Sequence, residues 1–417
     1  MFERVLGAPL RAALADTPAV FLAGARQTGK STLVQAHARR EKGWAYRTLD
    51  DLATLASAKA DPQGFVESLD SAGGGVILDE VQRVPDLFLP IKAAIDRDRR
   101  PGRFLLTGSA NVLALPKASE SLAGRMEVLT LWPLGQAEME GIEPTFIDAC
   151  FQARLDRLRV EVAGREDLVH RMLRGGYPEV VGRRRHEART RWFDAYVTTL
   201  TQRDVRDLAA IEGIAELPRL LQTVAARTGG PLNVADLGRT LGLNQMTLRR
   251  YLTLLGTLYL LVSLPPWFEN LGKKLARTPK LYLNDSGLLA HLTGTDAGGL
   301  ALRPADLGPI AETFVVMELM KSAPVSATRP SLFHFRTSAG HEVDVVLESR
   351  KRELMGVEVK AGATVTDADF RGLRVLQELV GARFKCGVVL HGGKEILPFG
   401  PRLWAAPIEA LWAGRRG

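Results

Sequence analysis

Cysteine is almost missing from this chain of 417 residues: two occur, Cys150 and Cys386, each alone among ordinary neighbours. Two isolated thiols exclude a disulfide framework and a paired-cysteine zinc site, and make a reducing cytoplasm the expected compartment. A long uncharged apolar run is missing too. The N-terminal stretch MFERVLGAPLRAALAD is broken by Arg4 and Arg11 and does not read as a signal peptide. Tyr251 to Phe268 lacks charge, but Thr, Gly and Ser interrupt it and Pro265-Pro266 ends it. It is shorter than the roughly 20 residues a membrane span needs, so it reads as a buried helix followed by a strand, and no membrane partner is expected.

What is present is globular. Apolar residues make up 46% and charged residues 24% of the chain, which carries no disorder signature. The length suits roughly three domains. A formal net charge of +8 tilts the partner odds toward nucleic acid or another anionic surface.

The first third contains a phosphate-binding pattern. An apolar strand, Val20 to Ala23, runs into Gly24-Ala25-Arg26-Gln27-Thr28-Gly29-Lys30-Ser31-Thr32, which opens a helical pattern. The spacing is that of a P-loop. The glycines let backbone N–H groups curl around phosphate oxygens, Lys30 neutralises the outer phosphates, and Ser31 holds Mg²⁺ at the helix start. A second apolar strand, Val76-Ile77-Leu78, ends in Asp79-Glu80. Asp79 would reach the Mg²⁺ through water, and Glu80 would orient or deprotonate the attacking water. A third strand ends in Thr107-Gly108-Ser109. Thr107 and Ser109 occupy a sensor position between the acids and the phosphates, although Ser109 also suits a helix cap. Arg125 then follows Gly124 before another apolar strand. It reads either as an arginine finger inserted into a neighbouring subunit's ATP or as a cation at a helix C-terminus.

This order resembles the AAA+ ATPase core. The segments GARQTGKST, ILDEVQRVPDLF, FLLTGSAN and SLAGRMEVLTLWPL are similar to those of one prokaryotic AAA+ family with a C-terminal domain of unknown function. Later pieces (GGYPEVV, WFDAYVTTLTQRDVRDL, KLYLNDSGLLAHL and AETFVVMELMK) extend the resemblance over nearly the whole chain. It implies an α/β fold with an ATP-binding core over 1–133 and a helical lid over 134–212. It also implies a homo-oligomer, with a hexameric ring among the arrangements a finger in trans allows. The arginine-rich run Gly182 to Trp192 could hold a second sensor, touch DNA phosphates, or simply form a solvated helix face.

Residues 213–300 follow helix-turn-helix grammar. Val234 to Leu241 forms a short helix, Gly242 the turn, and Asn244 caps a second helix with Met246, Leu248, Leu252, Leu255 and Leu258 at helical spacing. Strand-like runs after it make a winged helix. Gln245, Thr247, Arg249 and Arg250 would face DNA, double-stranded or branched, and Lys273, Lys274, Arg277 and Lys280 would lie on the wing. The same module could instead serve as a protein dock.

Residues 301–417 read as helix, three strands, helix, strand. This αβββαβ order resembles restriction-endonuclease-like, PD-(D/E)XK folds, and four residues match their signature: Glu312, Asp344, Glu358 and Lys360. Strand alternation puts Glu358 and Lys360 on one face, where Asp344 from the adjacent strand can meet them. The resemblance implies a Mg²⁺ or Mn²⁺ site made by Glu312, Asp344 and Glu358, with Glu342 as a further ligand and Lys360 beside the water. Two functions are thus expected from the sequence. One is a Mg-ATP-driven machine that remodels or moves along DNA, with a C-terminal domain that binds or cuts it. The other is an ATP-switched protein-interaction scaffold with a silent nuclease fold.

Overall fold

The computed structural model describes residues 2–41, 43–70, 74–110, 122, 124–200, 216–269 and 278–416. They fall into two compact units, one made of Glu3–Pro133 with Leu255–Leu260, the other mainly of Leu134–Leu254 with Leu261–Gly417.

The first unit is a five-stranded, wholly parallel sheet. Its chain order is α1 (Gly7–Asp16), β1 (Ala19–Ala23), α2 (Lys30–Arg40), β2 (Ala45–Thr48), α3 (Leu52–Ala60), α4 (Pro62–Asp70), β3 (Val76–Asp79), α5 (Phe88–Arg97), β4 (Phe104–Gly108) and β5 (Met126–Thr130). The spatial order is β2-β3-β4-β1-β5. Strands β1, β3 and β4 are buried along their whole lengths, as continuous apolar runs must be when both faces of a parallel sheet are covered. Alternation divides β1 between two cores. Phe21 joins Leu78, Phe88, Ile91 and Leu106 on one face, while Val20 and Leu22 join Leu10, Val34, Ile77 and Leu105 on the other.

The second unit starts with helices, among them α6 (Arg165–Arg174), α7 (His186–Thr199), α8 (Leu217–Ala225), α9 (Val234–Leu241) and most of α10 (Gln245–Thr257), whose residues from Leu255 on count with the first unit. Asn233 caps α9 by accepting from the Asp236 N–H at 3.0 Å, Gly242 ends it at φ +68°, and Asn244 caps α10 through the Thr247 N–H at 2.8 Å. The apolar stripe of α10 differs from the expected one at its start. Met246 is 83% exposed, because it shares a face with Arg249 and Arg250; Leu248, Tyr251, Leu254 and Leu255 are the buried residues. An antiparallel pair follows, β6 (Leu261–Leu264) with β7 (Lys280–Leu283). The uncharged Tyr251–Phe268 stretch is therefore helix then strand, and among the described residues no helix is long and apolar enough to cross a membrane.

After α11 (Ser286–Thr293), the last third of the chain carries α12 (Leu307–Ser322), β8 (Ser331–Arg336), β9 (Glu342–Glu348), β10 (Leu354–Lys360), α13 (Arg371–Val380), β11 (Phe384–His391), β12 (Leu397–Gly400) and β13 (Leu403–Pro407). Helix, three strands, helix, strand is the element order read from the sequence. The six strands lie in the order β12-β13-β11-β10-β9-β8. Strands β8, β9 and β10 are antiparallel, and β10 pairs with β11 in parallel. Helix α13 packs Leu373 and Leu376 on Val343, Val346 and Phe384. It lies close because Gly372 lacks a Cβ, which would stand 1.8 Å from the Glu342 carbonyl oxygen. The β9–β8 ladder shifts register between Val343 and Val346, so Asp344 and Val345 together face His334. Such a bulge re-aims a side chain. Cys150 and Cys386 are both free and buried.

Candidate functional sites

The loop after β1 has the conformation its composition demands. Gly24, Gln27 and Gly29 have φ of +148°, +66° and +94°, and a Cβ on Gly24 would stand 2.2 Å from the Leu131 carbonyl oxygen. Lys30 is buried, and its Nζ donates to the Gly24 and Ala25 carbonyl oxygens at 2.9 Å each. Ser31 and Thr32 are in the first turn of α2, while Arg26 and Gln27 form the more open tip of the loop. Thr28 closes the loop from inside through a 2.9 Å bond to the Ala25 carbonyl oxygen.

Strand β3 delivers the two acids to the same carboxyl end of the sheet. Asp79 is buried at the strand end, where it accepts from the Thr107 hydroxyl and, at 2.7 Å, from the Tyr46 hydroxyl. Gln35 on α2 donates to Tyr46 in turn at 3.1 Å. Burial, with the Asp79 charge, pushes the Tyr46 phenol up to about 12, so it serves as a donor. Glu80 has φ +61°, a left-handed conformation costly for a residue with a Cβ. Its backbone N–H donates to the Thr107 hydroxyl at 3.1 Å, and its carboxylate accepts from Ser109 at 3.1 Å and from Gln82. Thr107 thus meets the first acid and Ser109 the second, and Gln82 links Ser109 to Glu80.

Arg125 lies elsewhere. Its guanidinium grips Asp96 of α5 through Nε at 2.6 Å and Nη2 at 3.1 Å, an exposed two-point ion pair. In the arginine-rich run, Arg183 and Arg185 pair with Glu179 and Glu187. Arg189 lies 3.3 Å from His170 and lines a cavity of about 740 Å³ with Phe193 and His291.

Gln245, Arg249 and Arg250 are exposed on α10, and Thr247 is half-buried. Lys273, Lys274 and Arg277 lie outside the described residues. Lys280 corrects the expectation of a wing residue. It opens β7 with a side chain only 3% exposed, and its Nζ is surrounded by carboxylates: Glu342 Oε1 at 2.6 Å, Glu312 Oε1 at 2.9 Å and Asp344 Oδ1 at 3.1 Å. Tyr282, two residues further along the same strand face, donates to Glu312 at 2.7 Å. Glu312 fits here because Gly229 has no side chain, and a Cβ there would be 2.9 Å from Glu312 Oε2.

The four residues of the C-terminal signature do converge. The Val359 N–H donates to Asp344 Oδ2 at 3.0 Å, and Lys360 Nζ lies 3.5 Å from Glu358 and 3.6 Å from Asp369. Burial and the Asp344 charge push Glu358 up to about 8 and raise Glu312. Burial works against the charge on Lys280, but Asp344, Glu312 and Glu342 outweigh it and raise the ammonium's pKa. The expected metal centre does not fit this arrangement. A divalent ion needs oxygens at about 2.0–2.6 Å, and the oxygens of Glu312, Glu342 and Asp344 instead surround an ammonium at hydrogen-bond distance. Among the described residues no three His, Cys, Asp or Glu side chains are disposed to hold a metal ion.

Sequence reasoning also missed Arg4. Its guanidinium donates to the Thr28 and Trp132 carbonyl oxygens, both at 2.7 Å, and so ties the phosphate loop to the end of β5. A lone arginine ahead of the first helix gives no local sign of this.

Comparison with known proteins assigns residues 16–140 to a family described as an AAA domain. Residues 165–298 and 307–411 match two domains of unknown function, DUF8612 and DUF4143. The chain is 32% identical over 410 residues to the uncharacterized protein Mb2031c of Mycobacterium bovis and equally to the uncharacterized protein Rv2008c of Mycobacterium tuberculosis. Those alignments cover 98% of this chain and 84% of each relative. Among solved structures, the Walker-type ATPase PABY2304 of Pyrococcus abyssi aligns with 70% of this chain and 96% of its own, at 16% identity and a TM-score of 0.45.

Proposed function

The chain belongs to one family with the mycobacterial proteins Mb2031c and Rv2008c, and from that premise we propose that it is a Mg-ATP-driven AAA ATPase that acts on DNA. The observation that carries the ATPase part is the gathering of Lys30, Asp79, Glu80, Thr107 and Ser109 at the carboxyl ends of the three central strands of the parallel sheet. Ser31 and Asp79 would hold Mg²⁺, which neutralises charge between the outer phosphates when it is bound. The backbone N–H groups of Gly24 to Lys30 bind phosphate oxygens, and Lys30 turns from the loop carbonyls toward the γ-phosphate. Glu80 orients the attacking water and accepts its proton, released for that task from Ser109 and Gln82. Arg125 is the finger offered to a neighbouring subunit, which makes the working form a homo-oligomer.

The net positive charge and the exposed Gln245, Arg249 and Arg250 on a capped second helix support DNA as the partner. Winged-helix and nuclease-like readings of the second unit go with this proposal. Lys280 among the carboxylates favours a C-terminal domain that engages DNA or a protein without cutting. That arrangement also suits the rival reading, an ATP-switched protein scaffold.

ATPase rates measured at low salt with single-stranded, double-stranded and branched DNA separate the two. Stimulation by at least one DNA form is expected, lost in Lys30→Ala and Glu80→Gln. Hydrolysis that persists in Lys30→Ala would overturn the ATP site, and a rate indifferent to every DNA, with no DNA bound, would leave the scaffold.

A further inference from the structure

We infer that Lys280 is the resident cation of the C-terminal carboxylate cluster, and that its ammonium stands between Glu312 and Asp344, two of the three carboxylates expected to hold a divalent metal. The inference does not depend on whether the ATPase acts on DNA.

Stoichiometry is the first argument. An ammonium has three N–H donors and no acceptor. Lys280 meets one carboxylate oxygen on each of three residues, Glu342, Glu312 and Asp344, at 2.6, 2.9 and 3.1 Å. Its donors are matched in number, and the three acids come from two elements, α12 and β9, that the lysine joins to a third, β7.

Placement is the second argument. Lys280 pairs with Leu264 in the β6–β7 ladder and forms a further bridge with Pro231, so its backbone is held on both sides. Tyr282, from the same strand, occupies Glu312 as well. The bulge at Asp344-Val345 brings the Asp344 carboxylate to this point. A metal at Glu312 and Asp344 would therefore have to displace a lysine that is 3% exposed and anchored in a strand.

Chemistry is the third. A buried carboxylate, Asp344, beside two half-buried ones needs positive charge, and here the chain itself supplies it. Lys360, the signature lysine, lies at the rim of the cluster with Glu358 and Asp369, and its side chain is 38% exposed. The cluster thus contains two lysines in different roles, one at its centre and one at its rim. As built, the lysine at the centre is a clamp that fixes β7 to α12 and β9.

The test is Mn²⁺ binding followed by electron paramagnetic resonance, on the full chain without nucleotide and with Asp79→Ala to silence the ATP site. That background is expected to bind no Mn²⁺ that depends on Asp344, so adding Asp344→Asn changes nothing. Lys280→Met is expected to gain one bound Mn²⁺ per chain, lost again when Asp344→Asn is added. A Mn²⁺ bound while Lys280 is present, and lost with Asp344→Asn, would overturn the inference. So would a folded Lys280→Met chain that gains none. Should Lys280→Met not fold, the first comparison still decides, since both of its chains, with and without Asp344→Asn, keep Lys280.

Discussion

Glu80 combines a left-handed backbone with a carboxylate tied to Ser109 and Gln82. If it acts on water, Glu80→Gln should lower the ATPase rate by about 10²–10⁴-fold while ATP still binds, a split that turnover and nucleotide-binding assays resolve. Lys280→Met removes the cation that Glu312, Glu342 and Asp344 share. Leaving buried acids without their partner should cost about 3–5 kcal/mol in urea unfolding, and millimolar Mn²⁺ should return part of it. His334 makes a pH prediction. Burial and Lys280 push it down to about 4, so the folded protein keeps it neutral where the unfolded chain, near 6.5, takes up a proton. Its contribution is present in full above about pH 6.5 and is lost as pH falls toward 4, by up to ~3 kcal/mol. His334→Gln should flatten that part of the stability profile.

At the scale of elements, each site depends on a strand end or a helix start. Gly24 must let the phosphate loop pass within contact of Leu131. Gly24→Ala should therefore abolish nucleotide binding while the second unit keeps its fold, as read by fluorescent-nucleotide titration beside circular dichroism. The phosphate loop and the Asp79-Glu80 strand are legible in the sequence because their residues are neighbours and their spacing is set by one turn or one strand. The cap at Asn244 and the order α12, β8, β9, β10, α13, β11 are legible for the same reason, whereas sequence reasoning missed the cap at Asn233 and the two further strands β12 and β13. Contacts made across the chain are not. Arg4 reaches a residue 128 positions away and Tyr46 one 33 positions away. Lys280 reads locally as one more basic residue after Lys273, Lys274 and Arg277, yet its nearest acids lie at 312, 342 and 344. Met246 differs from expectation because a single apolar residue at a helix start satisfies helical spacing from either face.

For the molecule as a whole, Arg125 sets the expected assembly. It precedes β5 at the end where Met126 pairs with Ala19, whereas the phosphate loop leaves the other end of β1 after Ala23. Five residues of parallel strand separate them by about 16 Å, so the arginine and the loop of one chain lie at opposite strand ends of one sheet. ATPase activity per chain should rise with protein concentration, and mixing Arg125→Ala with Lys30→Ala chains should restore part of the activity that each lacks alone. Equal, undiminished activity in Arg125→Ala would remove the finger and leave Asp96 as its structural partner.

The buried position of Lys280 also bears on the ionic atmosphere of any DNA the chain holds. Affinity falls with salt in proportion to the phosphates a protein neutralises, because each one neutralised sets condensed cations free. Arg249 and Arg250, exposed on α10, can each take a share of that release. Lys280 can take none, since its charge is already balanced by acids inside the protein, and the salt dependence of binding should be shallower than the basic residues around the hairpin would indicate.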